Sequence, residues 1–124
     1  MTSKYVVTGA IYAMLAVAFG AFGAHALEEQ LTESMLATYE TGVRYQMYHA
    51  IGLILIGLIP QSSADRRLLT WAAGLLHAGI LIFSGSLYVL TLTGFTKLGM
   101  VTPIGGVAFI AGWLMMIIAV TRRK

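Results

Sequence analysis

The 124-residue sequence contains no cysteine. That removes disulfides, thiolate metal sites and thiol nucleophiles, whichever compartment the chain faces. Charge is also scarce, at 10% of residues against about 25% in soluble domains. With hydrophobic residues at 58%, there is too little polar surface for a water-soluble fold, and the chain reads as an integral membrane protein. Proline occurs only twice, at Pro60 and Pro103, so long helices have few interruptions. No nucleophile elbow, phosphate loop, His-x-x-x-His pair or Cys/His metal spacing occurs, so no catalytic residue and no metal ligand set are assigned. The formal charge of +3 comes from basic residues spread over all the loops, a pattern of membrane orientation that implies no nucleic-acid partner.

The sequence does carry four apolar segments, near residues 5–27, 45–60, 68–93 and 101–120, each close to the roughly 20 residues a spanning helix needs. The expectation is an all-α protein with four transmembrane helices in one compact bundle over residues 1–124, leaving no room for an extramembrane domain. Between the first two helices lies EEQLTESMLATYETGVR, polar but with Leu31, Met35, Leu36 and Tyr39 at helical spacing. This is an amphipathic segment suited to the membrane surface, with Thr32 as its N-cap. Only Gly42 interrupts the stretch from Glu33 to Ile59, so the segment can also run straight into the second helix, bent or not at Gly42. Pro60 and the serines after it end that helix in a polar hairpin, and Thr102-Pro103 reads as N-cap and first residue of the fourth.

Basic residues on alternate sides of four crossings divide as Lys4, Arg66, Arg67, Arg122, Arg123 and Lys124 against Arg44 and Lys97. Since basic residues concentrate in cytoplasmic loops, both termini and the middle hairpin are expected inside, in a bacterial inner membrane. The first helix imitates a cleavable export signal, with Lys4, an apolar stretch and Ala24-His25-Ala26. Its apolar run of about 22 residues exceeds the usual 7–15 of a signal core, and removing it would spoil the charge bias, so it is expected to stay as a spanning helix.

Helices in lipid approach one another where residues are small. Such seams are Ala16, Gly20 and Ala24 on the first helix, Gly74 and Ala78 on the third, and Ala108 and Gly112 on the fourth. All three histidines, His25, His49 and His77, lie in or at the edge of spanning segments, where polar groups are costly and face the bundle interior or a function. At about 1.5 Å per residue, His49 sits roughly 7 Å and His77 roughly 16 Å below His25. Such a staircase disfavours a shared metal, whose ligand nitrogens stand about 2.0–2.1 Å from one ion.

On the second helix Gly42, Tyr45, Gln46, His49, Gly52 and Leu53 recur at three and four residues, with Glu40 and Arg44 able to pair at the outer end. On the third, Gly74, His77, Ala78, Ser84, Gly85 and Tyr88 share a stripe. If the stripes face each other they form an outward-opening polar cleft, fit for water, a lipid or quinone headgroup, or a proton path. The bland alternative is that these groups make ordinary interhelical hydrogen bonds.

The runs FGAFGAHAL, YQMYHAIGL, FSGSLYVLTLTG and TPIGGVAFIAGW, in this order, resemble the small four-helix membrane proteins catalogued as domain of unknown function 423, a family of bacterial inner membranes to which eukaryotic transmembrane protein 256 is similar. The resemblance spans nearly the whole chain. It rests on Gly20, Gly23, His25, Tyr45, His49, Ser84, Gly85, Tyr88, Pro103, Gly105, Gly106 and Trp113, with His77 outside the motifs, and it implies a fold and a membrane but no reaction. The leading expectation is a non-enzymatic membrane protein, without cofactor, that binds lipid or another membrane subunit, or a second copy of itself, through its seams and polar cleft. A redox or proton-handling protein with quinone or haem near Tyr45 and His49 is one alternative, and an oligomeric small-solute channel another.

Overall fold

A computed structural model describes residues 3–122, and among these there are no strands. Four helical rods follow one another: α1 (Ser3–Leu27), α2 (Glu33–Leu58), α3 (Arg66–Thr93) and α4 (Thr102–Thr121), with short 3-10 turns at Gln61–Ser63 and Thr96–Met100. Three helices are long and apolar enough to cross a membrane, over Ser3–Leu27, Arg66–Thr93 and Thr96–Thr121. The exception is α2, which has 26 residues. Its shortfall comes from Arg44, Gln46, His49 and the tyrosines between them, yet Gln46 and His49 are buried inside the bundle.

The second helix begins at Glu33, twelve residues ahead of its expected start. Thr32 caps it, its hydroxyl oxygen accepting from the Met35 amide at 3.1 Å. The amphipathic segment is therefore no separate surface element. It forms the first turns of α2, and its apolar side covers the end of α1, with Tyr39 only 2% exposed. The rod is continuous through Gly42, where Tyr88 and Leu87 occupy the space a side chain would fill.

Two wide, π-helical turns interrupt the α-helical period. In α1 the Tyr39 hydroxyl donates to the Phe19 carbonyl at 2.6 Å and competes for an acceptor of the helix, and the following turn, Gly23–Leu27, is widened. In α3 the wide turn is Ile80–Ser84, closed by the Gly85 amide reaching back to the Ile80 carbonyl. Asp65 caps α3 by accepting from the amides of Arg67 and Leu68, and its own amide donates to the Ala119 carbonyl of α4 at 2.9 Å. That bond fixes the 60–65 hairpin to the far end of the chain. Gly94, at φ 76°, supplies the left-handed residue that ends α3. At the start of α4 the helix already includes Thr102, so Thr102 is not the cap; its hydroxyl stands 2.6 Å from that of Ser86 on α3 instead.

α1 packs along α2 and α3 along α4, and α2 joins the two pairs by lying against α3. The closest approaches are at glycines. A Cβ on Gly9 would stand 2.5 Å from the Ala50 carbonyl oxygen, and one on Gly105 would stand 2.5 Å from the Phe83 nitrogen. The apolar core lies between α2, α3 and α4 around Leu53, Ile56, Ala72, Leu76, Ile80 and Phe109.

Candidate functional site

The three- and four-residue spacing on α2 does turn Gly42, Gln46 and His49 inward, and each finds a partner there. Ser84 on α3 donates to the Gly42 carbonyl at 2.6 Å. Gln46 ties three helices together, its Nε2 donating to the Tyr12 carbonyl of α1 at 2.8 Å while its Oε1 accepts from the Tyr88 hydroxyl of α3 at 2.6 Å. His49 places Nδ1 2.6 Å from the Tyr45 carbonyl one turn back. Its ring lies flat on Phe109 of α4, 3.5 Å between centroids and 9° from parallel, with Trp113 beside it at 5.8 Å. Tyr45 sits 38% exposed at the edge of this aromatic group and stacks on Phe83 at 4.6 Å. Among the described residues no buried side-chain nitrogen or oxygen lacks a partner. In hydrocarbon each such orphan costs several kcal/mol, so a polar strip on a spanning helix is tolerable only when filled this way.

The remaining sequence candidates scatter. His77 turns to α1, where both ring nitrogens lie 3.2–3.4 Å from the Tyr12 hydroxyl. The wide turn at Ile80–Ser84 is why: an inserted residue rotates the rest of the helix by about 100°, so Ser84 meets α2 while His77 faces α1. His25 is exposed on the wide turn that ends α1 and does not join His49 or His77. Among the described residues no three histidine or acidic side chains gather as metal ligands do. Glu40 and Arg44 pair at 3.9 Å on the exposed side of α2, a separation and exposure that contribute little. Of the small residues, Ala16 and Gly112 are buried and Gly20 lies against Val43, while Ala78 and Ala108 are half-buried. Ala24 and Gly74 are exposed, and a Cβ on Gly74 would meet nothing within 4 Å.

Open space lies elsewhere, in an apolar concavity of about 460 Å³ along α3 beside Trp71, Gly74, Leu75 and Ala78, and in a groove between α1 and α3 floored by α2. At its foot is a cavity of about 140 Å³ bordered by Lys4, Tyr5, Ile56, Gln61, Arg66 and Thr70. This adjoins a chamber of about 340 Å³ that shares Lys4, Tyr5 and Thr70 and reaches Leu53, Gly74 and His77. The Tyr12–His77 contact bridges the groove there. Beyond it lie a cavity of about 220 Å³ along Tyr12, Phe19, Gln46 and Tyr88, and an apolar one of about 130 Å³ between Phe19, Phe22, Tyr39 and Leu92. Sequence reasoning missed this groove, although Tyr5, Tyr12 and Phe19, seven apart on one face of α1, mark its wall.

One end of the bundle collects four of the six described basic residues. Lys4 and Arg66 share the foot cavity, Arg67 follows, and the Asp65–Ala119 bond brings the end of α4, with Arg122, to the same level.

Residues 19–106 match the profile of a family described as "Protein of unknown function (DUF423)". The UPF0382 membrane protein of Staphylococcus haemolyticus is 49% identical over 115 residues, covering 93% of each chain, and that of Staphylococcus epidermidis is 50% identical over the same length and coverage. The UPF0382 membrane protein YwdK of Bacillus subtilis is 45% identical over 118 residues, 95% of this chain and 96% of its own. No solved structure matches the chain. A profile match over most of the sequence, near-complete coverage by such relatives, and helices apolar enough to cross a bilayer make this chain a member of the DUF423 family of bacterial membrane proteins.

Proposed function

We propose that this is a non-catalytic, four-crossing protein of the inner membrane, with both termini and the 60–65 hairpin in the cytoplasm, that holds a bilayer lipid in the groove between α1 and α3. The observation that carries the reading is the groove itself: it runs between two helices apolar enough to span a membrane and is floored by Ile56, Leu53, Gln46 and Tyr39 of α2. A lateral apolar furrow in a bilayer is filled by what surrounds it, and lipid chains surround this one. α2 counts as the fourth crossing because its 26 residues reach about 39 Å at 1.5 Å each, and its polar strip points at partners rather than at lipid. The grouping of Lys4, Arg66, Arg67 and Arg122 at one end supports the cytoplasmic assignment.

A quinone or haem at Tyr45 and His49 is the weaker reading, since it has to displace Phe109 from the imidazole face and compete with the Tyr45 carbonyl for Nδ1. A partner subunit is a further reading, compatible with the exposed apolar faces of α1 and α4.

Native mass spectrometry from mild detergent tests the lipid reading. Wild type is expected to carry one retained phospholipid per chain. Gly74→Leu, at a position that lines the chamber and where an added Cβ meets no heavy atom within 4 Å, is expected to lower that occupancy while the protein stays monodisperse. Bare protein under every condition, or occupancy indifferent to Gly74→Leu, overturns it.

A further inference from the structure

We infer that the lipid held in the groove is an anionic phospholipid of the cytoplasmic leaflet, its headgroup phosphate seated at the foot between Lys4 and Arg66; this rests on the lipid reading above. The foot cavity is bordered by two cations, Lys4 and Arg66, and it shares Lys4, Tyr5 and Thr70 with the chamber above, so a headgroup at the foot has its acyl chain already aligned with the apolar space. Neither Lys4 nor Arg66 forms an ion pair among the described residues. The neighbouring acid, Asp65, is 8% exposed and is engaged as the cap of α3, its carboxylate accepting from the amides of Arg67 and Leu68. The foot thus carries two cations that no described carboxylate neutralises, the Lys4 ammonium standing 5.3 Å from the centre of the Tyr5 ring that borders the same cavity. The remaining acids, Glu28, Glu29, Glu33 and Glu40, belong to the far end of α1, the turn after it and the first turns of α2.

Charge complementarity selects the headgroup. A zwitterionic lipid brings its own cation to the site along with the phosphate, whereas an anionic lipid brings a net negative charge. Basic side chains at a membrane surface favour anionic lipid by about fivefold each, so removing two is worth roughly 25-fold.

Full-length protein in nanodiscs of equal phosphatidylglycerol and phosphatidylcholine, released for native mass spectrometry, is expected to retain phosphatidylglycerol in preference. Lys4→Gln combined with Arg66→Gln is expected to reduce that preference about 25-fold, and Lys97→Gln, at the opposite end, to leave it unchanged. Equal retention of both lipids by wild type, or a preference untouched by the double substitution, overturns the headgroup assignment. So does an equal loss in Lys97→Gln, which reports bulk charge. If phosphatidylcholine is held as well as phosphatidylglycerol and both are lost in Gly74→Leu, the groove reading stands and only the headgroup assignment falls; with no lipid held at all, both fall.

Discussion

Gly105→Ala adds a single methyl group, and the structure says where it goes. The new Cβ stands 2.5 Å from the Phe83 nitrogen and 2.8 Å from its Cα and Cβ. These are atoms of a helix rather than the tip of a flexible side chain, so relief comes only by moving α4 away from α3, by 0.9 Å to reach an ordinary contact of 3.4 Å. The movement carries Phe109, one turn further along α4, off the His49 ring it covers at 3.5 Å. A gap of 0.5–1 Å forfeits about a quarter to a half of the dispersion energy of the atoms facing it, and overpacking of this kind costs about 1–3 kcal/mol. The upper half of that range is expected because the clash is with backbone, which means roughly 30- to 150-fold in the unfolding equilibrium. Gly74→Ala is the matched control, because no heavy atom lies within 4 Å of its new methyl, and its effect should stay within about 0.5 kcal/mol. Reversible SDS unfolding in mixed micelles, followed by tryptophan fluorescence, reads both; Trp113, half-buried beside His49, reports the junction that moves. Wild-type unfolding of Gly105→Ala, or a penalty above about 1 kcal/mol in Gly74→Ala, refutes the close-approach account.

Two further expectations concern the polar strip and the orientation. Tyr88→Phe should destabilise by about 0.6–1.7 kcal/mol in the same SDS assay and Gln46→Leu by more, since it also loses the bond to the Tyr12 carbonyl; the double variant should fall short of the sum because one bond is shared, and full additivity would deny that bond. Because the chain has no cysteine, Ser62→Cys and Gln30→Cys are single-site probes. In intact cells a membrane-impermeant maleimide should label Gln30→Cys and reach Ser62→Cys only after permeabilisation; the reverse pattern would invert the proposed topology.

Composition and the long apolar runs were enough to read an all-helical membrane protein, and the ends of the first and third helices, expected at 27 and 93, fall at Leu27 and Thr93. The Thr32 cap and a run from Glu33 into the second helix were legible as one of two possibilities, but the sequence did not choose between them, because an apolar stripe on a polar segment looks the same whether it lies on a bilayer or against Phe19 and Tyr88. Small-residue spacing named Gly74 and Ala24 but passed over Gly9 and Gly105, since a close approach depends on where two helices cross, which spacing along one helix does not encode. The stripe linking His77 to Ser84 assumed 3.6 residues per turn throughout, and one wide turn separated them. Gln46 was singled out, yet its acceptor on α1 is a backbone carbonyl, Tyr12, that no side-chain motif can reveal. The groove itself is a place where α1 and α3 do not close, and sequence patterns record what packs better than what stays apart.

The polar strip on α2 has a further consequence, for biogenesis. Gln46 is completed by Tyr12 behind it in synthesis and by Tyr88 ahead of it, and Gly42 waits for Ser84. On the four-crossing reading, α2 leaving the translocon has neither enough apolar surface to partition alone nor the third helix that would satisfy it. Its entry into the bilayer is therefore tied to the arrival of α3, and a chain truncated in the 60–65 hairpin should leave α2 uninserted although every residue of that helix has been made.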